Sequence, residues 1–244
     1  MSTWLKVVRY HLVQPALVIG LPWANLAFAF IVNLIIAAEH PTAHPVVTTS
    51  QGLAATASDG GFFTGAVVIP YIYFFVTGLM TISRSLPFGL ALGASRRSFY
   101  AGTALLGVGL AAVDAVGLTA LQAIERATNG WGVDMHFFRV PYILNGPWYL
   151  TWLTSFTGLA VLFALGMWFG VVHRRWGLIG NVLFIAGQVS ALLAATLIVS
   201  FANAWPAVGH FFISLTTAGL SGLLVLLTLA LLAGGHATIR RATV

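Results

Sequence analysis

Asp114, in the stretch GLAAVDAVGL, is a carboxylate in the middle of a long apolar run, where an ionised group is costly enough to need a reason. It lies about 22 Å along a helix counted from Phe99, and Gln122 is two turns further on. A carboxylate at that depth can belong to a polar translocation path, hold a cationic group, or serve as a structural carboxyl bonded to an Asn, Gln or Thr of another helix. Asn25, Asn33 and Gln188 are the polar side chains expected to join Asp114 and Gln122 in one of these roles. Little else has the makings of a site. Glu39, His40 and His44 resemble a metal cluster, but Pro41 and Pro45 oppose the helix that would align His40 with His44, so no metal site is expected. GASRR at Gly93 departs at its last position from the G-x-S-x-G hydrolase turn, and His136 and His210 have no nucleophile beside them in sequence. The chain has no cysteine, which excludes disulfides and thiolate metal sites. Its single lysine, Lys6 in WLKVV, follows no glycine-rich turn, so neither a P-loop nor a catalytic residue is expected on this chain.

The elements that position these residues follow from composition. Of 244 residues, 59% are hydrophobic and only 7% are charged, the mix of an all-α integral membrane protein. Six runs, 16–38, 62–82, 99–124, 149–172, 178–201 and 208–232, are long enough to cross an apolar core of roughly 30 Å. They predict one transmembrane domain over 1–244. In residues 1–14, Trp4, Leu5, Val7, Val8 and Leu12 share a helical face opposite Lys6 and Arg9, as in a helix lying on the membrane surface. Lys6, Arg9, Arg84, Arg96, Arg97, Arg174, Arg175, Arg240 and Arg241 fall on one side of the bundle, and only Arg126 and Arg139 on the other. Basic loops stay cytoplasmic, so both termini are expected inside. The net charge of +6 is thereby explained as topology, and no nucleic-acid partner is expected. Gly61 with Gly65, and Gly166 with Gly170, have the small-xxx-small spacing that lets helices pack closely. The outer loops 39–61 and 125–147 have room for short external helices.

The segment SRSLPFGLALGASRRSFYAG, from Ser83 to Gly102, joins spans two and three on the basic side. Ser85 can cap a helix, Pro87 suits a first turn, Leu86 pairs with Leu90 at i,i+4, Gly93 can end the helix and Ser95 can start the next. The reading is a short, mostly apolar helix bracketed by Arg84 on one side and Arg96 and Arg97 on the other. Its apolar side needs lipid or a partner protein, and its arginines need phosphate or carboxylate.

At these residues the chain resembles the membrane subunit of an ABC-type export permease: R-x-L-P-F-x-L-A-L-G-A-S-R-R-x-F stands between spans two and three of six, after an amphipathic N-terminal helix. The resemblance implies a type V-like fold in a bacterial plasma membrane. It also implies a second permease chain, identical or homologous, and a separate cytoplasmic ATPase subunit that binds ATP and Mg, with no cofactor on this chain. By position, Arg84, Leu86, Pro87, Phe88, Leu90, Arg96 and Arg97 would dock that ATPase, and residues 4–12 would form the connecting helix. The exported substrate would be a drug, peptide or lipid-like molecule. One departure stands out: the family often carries an external helix pair between spans five and six, and 202–207 is too short for it. The other classes are an ion- or proton-coupled secondary transporter, which would have to rely on Asp114, and a non-transport membrane enzyme or scaffold.

Overall fold

The computed structural model describes residues 20–39, 62–63, 67–91, 93, 95–138 and 147–240. The surface helix expected over 1–14, the His40–His44 stretch, Gly61 with Gly65, and Arg139 and Arg241 lie outside them. The chain forms helices α1 (Leu21–Glu39), α2 (Val68–Ala91), α3 (Arg96–Ala127), α4 (Trp148–Phe201), α5 (Trp205–Ser214) and α6 (Thr217–Arg240). Two short strands, β1 (Phe62–Phe63) and β2 (Met135–His136), pair in parallel. Five of the helices, all but α5, are long and apolar enough to cross a membrane. This is an all-α membrane-embedded protein.

The 54 residues of α4 are not one rod. Gly177 has φ 67° and ψ −156°, a conformation open to glycine and closed to most other residues. The chain folds back there: Phe184 lies 5.0 Å from both Trp168 and Phe169 between ring centroids, an approach that a straight helix would forbid. The two arms, 148–176 and 178–201, therefore form a hairpin. The first arm is the hub of the fold. It runs parallel to α2, with Phe74 against Phe163 and Phe75 against Phe169. It also runs parallel to α6, since Thr154 meets Ser221 at one end and Trp168 donates to Thr238 at the other. The second arm is the return between them, and Leu178, Ile179, Leu192 and Phe201 expose their side chains along it.

Between helices in lipid, close packing does what hydrophobic burial does in water. A Cβ at Gly166 would collide with the Phe75 carbonyl oxygen, and one at Gly78 with the Phe163 carbonyl oxygen, so these glycines set the approach of α2 to the hub. Gly170 lies in the same contact, facing Leu79 and Ile82. The expected packing role of Gly166 and Gly170 is thus realised inside one chain. Helix α3 runs the opposite way, turning back from α2 through Gly93, whose N–H reaches the Leu90 carbonyl at 3.0 Å, and Ser95, whose side chain caps the Ser98 N–H at 3.1 Å.

Three expectations need correction. Span two begins at Val68 rather than at residue 62, because Phe62 and Phe63, aromatic residues suited to strands, pair with Met135 and His136 instead. No separate helix lies between spans two and three: Ser85, Leu86, Pro87, Phe88 and Leu90 continue α2 to Ala91. Pro87 sits inside that helix, and the Phe99 ring packs on Gly89 and clamps the end in place. The last span is not one run over 208–232. Thr216 accepts the Gly219 N–H at 3.1 Å, and this cap starts α6 afresh after the extended Leu215. Helix α5 before it has no buried residue, and Trp205 at its start donates its indole N–H to the Ser200 hydroxyl at 3.0 Å.

Candidate functional site

Among the described residues, the buried side of α3 carries both buried carboxylates of the bundle. Thr103, Asp114, Gln122 and Glu125 fall on one stripe at helical spacing, and each is at least nine-tenths buried. Thr103 and Asp114 are eleven residues apart, as are Asp114 and Glu125. The Thr103 hydroxyl has no hydrogen-bond partner among the described residues.

Asp114 is held from α1. Trp23 donates its indole Nε1–H to Asp114 Oδ1 at 2.7 Å. The ring reaches that far because Gly117, one turn along α3, leaves it room: a Cβ there would collide with the outer edge of the indole. Pro22, Trp23, Leu26, Pro70, Phe74, Asp114 and Leu118 line a crevice of about 10 Å³ between α1, α2 and α3, room for roughly one water. Ligand pockets for drug-sized molecules run to about 300–1,000 Å³. The crevice places one carboxylate oxygen near a neutral donor in apolar surroundings, with room for an ion or a water rather than an organic substrate.

The side chains expected to accompany Asp114 do not gather around it; Gln122 is buried on the same helix, about two turns further on. Asn25 and Asn33 donate to the carbonyls of Leu21 and Ala29 one turn back in α1, and Gln188 lies on the return arm of the hairpin. Trp23 takes the role assigned to them. A tryptophan near a helix start reads in sequence as an interface anchor, which hides its use as a donor.

A second buried carboxylate was missed altogether. Glu125 is 0% exposed at the far end of α3, although its place after an apolar run reads as a loop acid. Its Oε2 accepts the backbone N–H of Phe138 at 2.7 Å, that of Phe137 at 3.0 Å and the indole N–H of Trp131 at 3.3 Å. The chain before β2 needs that anchor. Trp131 has φ 63°, left-handed geometry that is strained for a bulky residue, and Asn129, Gly130 and Gly132 also have positive φ. Phe30 of α1 packs on Trp131 at 4.7 Å and on Phe137 at 5.4 Å, closing an aromatic lid over this end. The signal for Glu125 was available: it repeats the Asp114 position eleven residues on.

The opposite, basic end holds the α2–α3 turn. Of the seven residues singled out there, Leu86 is buried and Leu90 packs against the core, while Arg84 and Phe88 face outward, Phe88 with 63% exposure. Pro87 and Arg96 are half-buried, and Arg97 is exposed. Continuing α2 to Ala91 explains the split, since residues one turn apart on a packed helix share its inner face. Among the described residues no cluster of three or more His, Asp or Glu is placed to hold a metal. No family model, curated protein or solved structure matches the chain, so the reading of these two ends rests on their own geometry.

Proposed function

We propose that this chain is the six-span membrane subunit of an ATP-driven exporter, paired with a second permease chain and with a separate ATPase on the cytoplasmic side that binds ATP and Mg. The Gly177 hairpin supports six crossings. Its arms would measure roughly 43 and 36 Å at 1.5 Å per residue, and the first arm and α6 run parallel with the second arm between them. The excess of arginine at the basic end supports a cytoplasmic assignment for that end in a bacterial plasma membrane.

The observation that carries the reading is the pair Arg84 and Phe88 on the outer side of α2. An aromatic ring with 63% exposure beside a guanidinium is the composition of an interface anchor. Leu86 and Leu90, two residues to either side of Phe88 and so on the opposite side of the helix, pack into the bundle core. A push on Phe88 is therefore delivered to a rigid helix of 24 residues whose other end packs on the hub. In this mechanism α2 itself transmits closure of the ATPase, in place of a detached coupling helix. The crevice at Asp114 is too small for an amphipathic drug, peptide or lipid, so the substrate path forms between two permease chains.

The test compares Phe88→Asp with the parent at equal membrane levels, after impermeant labelling of a cysteine at Asn129 has verified outward orientation. Loss of copurifying ATPase and of ATP-dependent efflux of an amphipathic dye is expected. Parental values for both would reject the proposal.

A second reading, an ion-coupled transporter, is favoured by one observation: Asp114 is buried beside a neutral donor in a crevice of ion size. Transport that stops when the proton gradient is collapsed with ATP maintained, and that Asp114→Asn abolishes, would establish this reading in place of the first.

A further inference from the structure

Helices α3 and α6 converge at the basic end. Tyr100 in the second turn of α3 donates its hydroxyl to the Leu232 carbonyl at 3.0 Å, and its ring lies 5.7 Å from that of His236. Gly235 admits the Tyr100 hydroxyl, which a Cβ would displace. This contact fixes the first turn of α3 beside the last turn of α6. The two helix ends leave an open cleft of about 450 Å³ lined by Ser95, Arg96, Arg97, Ile239 and Arg240. Three guanidiniums line it, and among the described residues no carboxylate does. The nearest acid along α3, Asp114, is about 27 Å from Arg96.

Arginine cannot shed its charge by deprotonation, and its planar fork of N–H groups matches the oxygens of phosphate. The source of the phosphate follows from what borders the cleft. Beyond Arg97, on the same outward side of α3, come Ala101, Leu105 and Val108, all exposed, an apolar strip running toward the middle of the membrane. A free anion would have no use for that strip, whereas an acyl chain would lie along it.

We infer that this cleft binds the headgroup phosphate of an anionic phospholipid through Arg97 and Arg240, with Arg96 adding a third positive charge and the acyl chain following Ala101, Leu105 and Val108. The assignment gives Arg96 and Arg97 to lipid and leaves docking of a soluble partner to Arg84 and Phe88. It requires only that the protein be embedded in a membrane, so it stands or falls apart from the transport proposal.

The experiment uses the purified full chain in detergent, with phosphatidylglycerol, phosphatidylcholine and inorganic phosphate as probes. Native mass spectrometry reads lipid retention, and melting temperature reads protection. The parent should retain phosphatidylglycerol at least about tenfold more strongly than phosphatidylcholine, as charge-assisted contacts predict. Arg97→Gln with Arg240→Gln should lose that preference. Arg174→Gln with Arg175→Gln, which removes equal charge from the nearby hairpin, should keep it. The inference is overturned if the first double variant retains phosphatidylglycerol like the parent, or if the second loses it equally. Inorganic phosphate that displaces phosphatidylglycerol and reproduces its protection would assign the cleft to a free anion and overturn the lipid assignment. Should the first double variant fail to fold by circular dichroism, Arg240→Gln alone is held to the same criterion.

Discussion

The two ends of α3 treat charge in opposite ways. At the aromatic end Glu125 is fully buried, and three N–H groups converge on one of its oxygens. At the basic end Arg97 and Arg240 are exposed around a cleft that, among the described residues, no carboxylate lines. A buried ion is stable only when the fold itself supplies its partners, so the first end is an internal joint that organises its own loop. The exposed arginines are held by no such set of bonds among the described residues, which leaves them open to a partner from outside the fold. Charge spent inward marks architecture, and charge turned outward marks a place of contact.

The largest effect expected from this contrast is at Glu125. Glu125→Ala strands two buried backbone N–H donors and the half-buried indole N–H of Trp131, releases that strained residue, and should cost about 3 kcal/mol or more. Denaturant titration in micelles would measure the loss, and proteolysis should open the chain between 128 and 138 first. A variant as stable as the parent would end the claim that this end is internally locked. An intermediate effect is expected at the middle of the stripe. Trp23→Phe removes the only hydrogen bond found for Asp114 among the described residues and should cost about 1–2 kcal/mol. The penalty should shrink in Trp23→Phe with Asp114→Leu, where no polar group is left behind; equal penalties with and without the carboxyl would show that the ring matters only as packing. The smallest effect belongs to the basic end. In lipid-free detergent, Arg97→Gln with Arg240→Gln should shift stability by less than about 0.5 kcal/mol, as exposed substitutions usually do. A loss approaching that at Glu125 would mean that both ends are architectural and would erase the contrast.

What could be read in the sequence was local. Gly93 and Ser95 ended and started helices as their chemistry requires, since a left-handed turn and a hydroxyl cap need only their immediate neighbours. The glycine at 177 falls between two runs that are each apolar enough to cross a membrane, so the hairpin was legible as well. Pro87 misled because a proline suits a first turn, and only the distant packing of Phe99 on Gly89 reveals that α2 continues past it. The partner of Asp114 was beyond reach for the same reason: Trp23 is 91 residues away, and nothing in its neighbourhood announces a donor. Phe62 and Phe63 were counted into a span because hydropathy registers their apolarity and not the strand at Met135 that claims them. The split of Arg84 and Phe88 from Leu86 and Leu90 depended on where one helix stops, which is the least legible feature of a sequence.

The spacing of Thr103, Asp114 and Glu125 also fixes how any rotation of α3 would be felt along its length. Eleven residues at 3.6 per turn return to the same bearing within about 20°, so the three groups share nearly one meridian of the cylinder. A helix so marked behaves like a camshaft. A modest roll would swing all three off the buried face together, along most of the length of the helix. Trp23 and the lid anchored by Glu125 are the two stops against that roll, one at mid-depth and one at the end, so releasing either loads the other.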